Sequence, residues 1–433
     1  MEGAGMRLRV PGDKSLTQRA LILASLAEGE SRLSGLLHGG DAASTAAALR
    51  ALGARIPELP ADGGEVRIQG VGLRGLQTPR DVLDLGNSGT GTRLLTGVLA
   101  GSGLTATLDG DASLRSRPMA RVTTPLQVMG ARFAHGAVDG RLPMTVLGTH
   151  PLEPLDWTSP VASAQVKSAL LLAGLTGGAF ALVTEPRASR DHTERLLRGV
   201  GVSVVAHATA GGWRVELRDP PERIGPLDFE VPGDVSSAAF VLALAAMGGA
   251  GAGVTVERIG LNPTRIAFLG VLRRMGAEVT IERTTSDHAP EPVGDVHVSP
   301  AGLKGVAIEA GEVPGLIDEL PLIAALGARA AGTTRVTGAE ELRAKESDRI
   351  HAMVTNLRSL GVEASEQPDG FEVEGSDVAL RGSVRTFHDH RIAMSFAVLG
   401  ALVGNEVTID DPSVADVSFP GFATLLSRIQ AAV

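Results

Sequence analysis

Val10-Pro11-Gly12-Asp13-Lys14-Ser15 and Val231-Pro232-Gly233-Asp234-Val235-Ser236 are two versions of one signature, each leading into an apolar stretch. Proline restricts the backbone and glycine permits unusual angles, so a Pro-Gly pair suits a point where the chain crosses between domains. Two coincidental turns are the ordinary alternative. Working outward, the same plan recurs in six places, where a polar, Gly- or Pro-rich segment opens an apolar helix that stops at glycine. The six copies span residues 11–29, 86–101, 159–177, 232–248, 314–332 and 388–404. Their starts lie roughly 70 to 85 residues apart, a long but regular period. A second helix per unit ends at Leu52-Gly53, Met129-Gly130, Val200-Gly201, Met275-Gly276 and Leu360-Gly361, where each glycine is a natural C-cap followed by strand-like alternation.

One unit therefore reads as helix, strand, helix, strand, strand. The sixth has its last helix at residues 418–429 and then runs out of chain, and a spare strand at residues 7–10 is expected to help complete it. The expectation is an α/β protein of two similar domains, three units each, with the apolar helices buried. Residues 12–233 form one domain; residues 1–11 with 234–433 form the other.

At 433 residues a single core is too small a frame, which agrees with two domains or three. Aromatic residues are 3% of the chain, Tyr is absent and Gly numbers 55, so the cores must be built from Ala, Leu and Val with many tight turns. A net charge of −9 argues against nucleic acid or an anionic membrane as partner. Without cysteine there is no disulfide framework, thiolate metal site or thiol nucleophile. The ten His show no metal-ligand spacing, and residues 1–10 lack the long apolar core of a signal peptide. Residues 235–256 carry no charge and are long enough to span a bilayer. Glycines 248, 249, 251 and 253 divide them into a buried helix, a turn and a strand.

Functional-looking residues gather where the apolar helices begin. Helix N-termini carry partial positive charge and unpaired N–H groups, so several converging on a cleft between domains would make an anion site. Lys14, Ser15 and Arg19 open the first helix; a solvated, capped helix start is the alternative. Gly86-Asn87-Ser88-Gly89-Thr90 resembles a phosphate loop but lacks the Walker ending. Arg115-Ser116-Arg117-Pro118 puts two Arg on a loop before a helix, suited to a carboxylate or phosphate. Ser163-Ala164-Gln165 starts the third helix with Lys167 just inside, and caps explain such residues equally well. Arg187, Arg190, Asp191 and His192 cluster before another helix, where local ion pairs are the favoured reading. Asp318, inside an apolar run, is either an N-cap or a general base. Lys345-Glu346-Ser347-Asp348-Arg349 alternates charges as a surface ion-pair run also would. Asp389-His390-Arg391 enters a helix that must be buried, and buried charge without purpose is costly.

Taken together and in order, these motifs resemble the EPSP synthase family over nearly the whole chain, from Val10 to Pro420. The resemblance implies two domains of three βαβαββ units (an inside-out α/β barrel), with the active site in the interdomain cleft. It implies transfer of the enolpyruvyl group of phosphoenolpyruvate to the 5-hydroxyl of shikimate 3-phosphate in the shikimate pathway, by a monomeric, cytoplasmic enzyme without metal or cofactor. Lys14, Ser15, Arg19, Ser163, Gln165, Asp318 and Lys345 would surround shikimate 3-phosphate. Lys14, Gly89, Arg117, Gln165, Arg349 and Arg391 would contact phosphoenolpyruvate, with Asn87 and Thr90 shaping the loop beside it. Asp318 resembles the general base, and Glu346 the group that protonates the methylene carbon together with Lys14.

The chain departs from the family at Val417, where many members carry Lys, and at Ala164, where some have a second Ser. The sister activity on UDP-N-acetylglucosamine is disfavoured, because Ser15 follows Lys14 where that family has Asn. Ala112 stands five residues before Arg117, where that family has Cys or Asp. A non-catalytic anion-binding protein on the same fold is the alternative of another class.

Overall fold

The apolar stretches fold as helices because nearly every face of each is apolar, and such a helix has to be covered all round. In the computed structural model, which describes residues 5–136, 138–286 and 289–432, they are Lys14–Leu26, Gly89–Ser102, Ala164–Gly177, Val235–Ala246, Leu320–Gly327 and His390–Gly400. Every residue of Val235–Ala246 and of Leu320–Gly327 is buried. Asp13, Ser88, Ser163, Asp234 and Asp389 cap five of these helices with their side chains, as short polar residues do at an N-terminus. Gly53, Gly130, Gly201, Gly276 and Gly361, behind the second helices, all have left-handed φ between 83° and 101°.

Around these helices the described strands form six small sheets. The second repeat shows the plan. Leu83–Asp84 and Thr105–Asp109 pair in parallel across the buried helix, and the second helix Ala120–Val128 follows. Met144–Leu147 then lies antiparallel between Thr105–Asp109 and Arg132–His135. The third, fourth and fifth repeats have the same strand order, giving βαβαββ units.

Two strands are exchanged along the chain. Asp228–Glu230 pairs with Glu28–Ser34 of the first repeat, and Met6–Leu8 pairs with Val254–Gly260 of the fourth. The N-terminal strand therefore completes the fourth repeat's sheet and not the sixth's, which has only Arg381–Val384 and Glu406–Ile409. The reason is local: the Asp234 N–H donates to Pro11 O at 2.8 Å, so the first strand enters beside the helix Val235–Ala246 and meets that helix's own outgoing strand. At Gly12 a Cβ would lie 1.8 Å from Gly35 O, so this turn admits only glycine.

The chain divides into two compact units, Gly12–Val231 and Met1–Pro11 with Pro232–Val433. Residues 1–4, part of the stretch read above for a signal peptide, lie outside the described residues.

Three local expectations are corrected. The fifth stretch is not one helix but Val313–Leu316 followed by Leu320–Gly327. Pro321 cannot donate and its ring would strike the carbonyl four residues back, so the chain turns at residues 317–319. The last helix is Phe422–Ala431, set off by Gly421 at φ +77° from the 3-10 turn Pro412–Val417. Arg115 and Ser116 belong to a short helix, Ala112–Ser116, and are not on a loop. Residues 235–256 form the expected helix, turn and strand, and no helix among the described residues is long and apolar enough to cross a membrane.

Candidate active site

In the unit Gly12–Val231 the basic residues stand at the starts of three buried helices. Lys14 Nζ lies 3.2 Å from Asp41 Oδ2. Arg19 is buried one turn further along. Its Nε donates to Thr193 Oγ1 at 2.7 Å, Nη2 to Ser168 Oγ at 3.1 Å and Nη1 to the Ser15 carbonyl at 3.0 Å. The helices Gly89–Ser102 and Ala164–Gly177 approach backbone to backbone, for a Cβ at Gly97 would lie 2.1 Å from Ala169 O. That approach brings their first turns together. Gln165 accepts from Arg93 Nη1 at 2.5 Å and donates to Thr90 Oγ1 at 2.8 Å. Arg117 Nη2 donates to Asn87 Oδ1 at 2.8 Å.

Arg93 and Arg117 crowd Gly89, where a Cβ would meet their Nη1 atoms at 3.3 and 3.0 Å. Burial, with the like charges of Arg121 and Arg117, pushes the Arg93 guanidinium down to about 10. Its buried Nε finds no hydrogen-bond acceptor among the described residues. Two guanidiniums held this close favour a bound anion, which would offset their repulsion. Arg115, the other Arg of its motif, instead makes a two-pronged, exposed pair with Asp109 and is structural.

In the unit containing Pro232–Val433 the acids and bases share one buried guanidinium. Arg349, 1% exposed, donates from Nε to Asp389 Oδ2 at 2.8 Å and from Nη2 to Glu346 Oε2 at 2.6 Å, while Nη1 lies 3.8 Å from Asp318 Oδ1. Burial alone would push this guanidinium down. The carboxylates of Asp389, Glu346 and Asp318 outweigh burial and hold it above its ordinary range. Asp389 mirrors it: burial works to raise its carboxyl, and Arg349 wins, keeping it below the usual carboxylate range. Arg391 donates to the Asp318 carbonyl at 2.8 Å and lies 3.8 Å from its Oδ1. Ser236 donates to Glu319, and Arg265 holds both Ser236, at 2.9 Å, and Asp234, at 3.1 Å, tying the second Val-Pro-Gly-Asp segment to the Asp318 turn. Phe387 and His388 precede Asp389 with left-handed φ of 53° and 57°. That conformation costs roughly 1–2 kcal/mol per residue and is a mark of functional turns.

The structure thus gathers Asp318, Glu346, Arg349 and Arg391 in one unit, and Gln165, Thr90, Asn87, Gly89 and Arg117 in the other. Ser163 caps its helix, as the ordinary reading allowed. Lys345 pairs with Glu341 at 2.8 Å across one helical turn's spacing, the surface arrangement foreseen as the alternative. Glu319, and not Asp318, occupies the N-cap position of Leu320–Gly327. Val417 ends the 3-10 turn and is 42% exposed. Asp389, Glu319, Asp41, Ser168 and Thr193 went unassigned in the sequence. Only Asp389 left a signal there, as a charge entering an apolar helix.

Repeated βαβαββ units with charge confined to the starts of buried helices define the enolpyruvyl transferase fold. The enolpyruvyl transferase NikO from Streptomyces tendae has it too, at a TM-score of 0.73 and 17% identity over 99% of this chain and 94% of that one. Residues 5–426 match the family described as EPSP synthase (3-phosphoshikimate 1-carboxyvinyltransferase), and the chain belongs to it. It is 51% identical over 430 residues to a 3-phosphoshikimate 1-carboxyvinyltransferase of Thermus thermophilus, covering 98% of this chain and 96% of that protein. The protein of that name from Hyphomonas neptunium is 47% identical over 426 residues, with the same coverage. The solved EPSP synthase of Acinetobacter baumannii superposes with a TM-score of 0.86 at 38% identity, covering 99% and 97% of the two chains.

Proposed function

We propose that these two sets of helix starts carry out the reaction of the family, 3-phosphoshikimate 1-carboxyvinyl transfer. The enolpyruvyl group of phosphoenolpyruvate passes to the 5-hydroxyl of shikimate 3-phosphate, giving 5-enolpyruvylshikimate 3-phosphate and phosphate, a step of aromatic amino-acid biosynthesis. The observation that carries the assignment of roles is the buried guanidinium of Arg349, hydrogen-bonded to Glu346 and 3.8 Å from Asp318. A base and an acid gathered around one buried cation lie close together, as a reaction needing two proton transfers requires.

Asp318 takes the proton of the 5-hydroxyl as its oxygen bonds to C2 of phosphoenolpyruvate. Glu346, with Lys14, delivers a proton to the methylene carbon, which becomes a methyl group. The tetrahedral adduct then loses a proton from that methyl and expels phosphate, restoring the double bond. Lys14, Gly89, Arg117, Gln165, Arg349 and Arg391 hold phosphoenolpyruvate, with Asn87 and Thr90 shaping the loop. Lys14, Ser15, Arg19, Ser163, Gln165, Asp318 and Lys345 hold shikimate 3-phosphate. For Arg19, three existing hydrogen bonds orient the guanidinium, so it serves through pre-arrangement.

The domain reading belongs to the same proposal: residues 12–233 as one domain, and residues 1–11 with 234–433 as the other. A monomeric state and a cytoplasmic location complete it, as membership of the family leads one to expect.

Phosphate release from phosphoenolpyruvate, measured with shikimate 3-phosphate and separately with UDP-N-acetylglucosamine, tests the reading. Release is expected only with shikimate 3-phosphate, and Asp318→Ala is expected to slow it by about 10²–10⁴-fold. Release only with the nucleotide sugar would reverse the substrate, and silence with both would leave an anion-binding protein.

A further inference from the structure

Three charged side chains that no step of the reaction uses lie under the start of the helix Ala164–Gly177. Lys167, Glu185 and Glu194 are 0%, 1% and 0% exposed. Lys167 Nζ stands 2.7 Å from Glu194 Oε1 and 3.3 Å from Glu185 Oε2. Taking such charges out of water costs several kcal/mol per ion, and apolar replacements of buried ion pairs are often neutral or stabilising. Stability alone is therefore a weak reason for the cluster.

Its contacts supply a better one. Glu185 Oε1 accepts the Ser163 N–H at 2.6 Å and Oε2 accepts the Ser189 hydroxyl at 2.7 Å, so this carboxylate is pinned at both oxygens. One residue beyond Lys167 is Ser168, and one before Glu194 is Thr193. Their hydroxyls bond each other at 2.6 Å, and both accept hydrogen bonds from Arg19. The ion pair that joins the two helices thus sits directly beside the Arg19 clamp, while its second carboxylate fixes Ser163.

We propose that Lys167, Glu185 and Glu194 are positioning residues that set Ser163 and Arg19 for shikimate 3-phosphate. The inference rests on the reaction proposed above. A hydroxyl and a guanidinium meant to bind an anion without rearranging need their geometry imposed from behind. The buried triad imposes it in this unit, through a backbone N–H in one case and a hydroxyl pair in the other.

Steady-state kinetics of the full chain at saturating phosphoenolpyruvate separate this role from a merely structural one. Glu185→Gln is expected to raise KM for shikimate 3-phosphate about tenfold, with kcat and KM for phosphoenolpyruvate within about twofold. In a Ser163→Ala background the same change is expected to have an effect of about twofold or less, because the hydroxyl it places is already gone. Equal effects in both backgrounds, or a loss of kcat with KM unchanged, would overturn the proposal. If Glu185→Gln does not fold, Ser189→Ala removes the hydroxyl donor at Oε2, leaves Lys167 beside that oxygen, and is expected to raise the same KM by about threefold. A lower Tm with unmoved KM in that variant counts against positioning. Wild-type chain that turns over only the nucleotide sugar would sink the reaction and this inference together, a result read without any variant.

Discussion

Asp389 decides more at the scale of the residue than its place in a short motif suggests. It is fully buried, caps its own helix through the Arg391 N–H and accepts from Arg349 and Ser347. Removing one partner of a buried ion pair leaves the other charge uncompensated, so Asp389→Ala is expected to destabilise the fold by about 3–5 kcal/mol in urea denaturation. The pH dependence has a definite sign. A carboxyl held below its unfolded value of 3.8 stabilises the fold while ionised; that contribution is complete above pH 3.8 and is lost as pH falls through the lower native value. The gap in stability between wild type and Asp389→Asn should therefore hold from neutral pH down to about 4 and narrow below it; a gap independent of pH would remove Asp389 as the linked group. The sequence marked this residue as a costly charge, but not its partner. Arg349 stands forty residues earlier in a run equally readable as solvated charge, and no local pattern pairs the two.

Among the elements, the pair Gly89–Ser102 and Ala164–Gly177 controls how closely the site residues meet. Glycine within a helix is normally the weaker choice by about 1 kcal/mol against alanine, so Gly97→Ala in isolation would help. Here the added methyl would lie 2.1 Å from Ala169 O, and the helices would have to part. Gly97→Ala is expected to cost about 1–3 kcal/mol by denaturant midpoint and to loosen the Arg93–Gln165 bond between the two first turns; a stabilised variant would show that the helices can slide apart freely. The starts of the buried helices were legible, since capping acts within a few residues, but several stops were not: Gly29 lies inside the strand Glu28–Ser34, and Gly332 and Gly404 lie beyond helices that end at Gly327 and Gly400. Pro321 stands in the sequence as a helix breaker, but the apolar run continues across it and hides the break. The 2.1 Å approach at Gly97 was not legible, since it depends on which helix lies opposite.

On the scale of the molecule, the exchanged strands make two distant parts of the chain depend on each other. Leu8, buried in Met6–Leu8, pairs with Val256. Leu8→Asp is expected to cost about 3 kcal/mol and to raise hydrogen exchange along Val254–Gly260, with amides of Gly12–Val231 protected as before. Loss of protection confined to the first ten residues would mean the strand is dispensable. Six repeats and the places where their buried helices begin follow from composition and period alone, because helix caps and apolar periodicity are settled by neighbours in sequence. So do the residue types at each helix start. The partner of the N-terminal strand, the break before Leu320, and the meeting of Asp318, Glu346 and Asp389 on one guanidinium were decided only in the folded chain. Strand edges and charged side chains offer much the same bonding to many partners. Which partner is met depends on residues tens to hundreds of positions away, brought within hydrogen-bond distance only by packing.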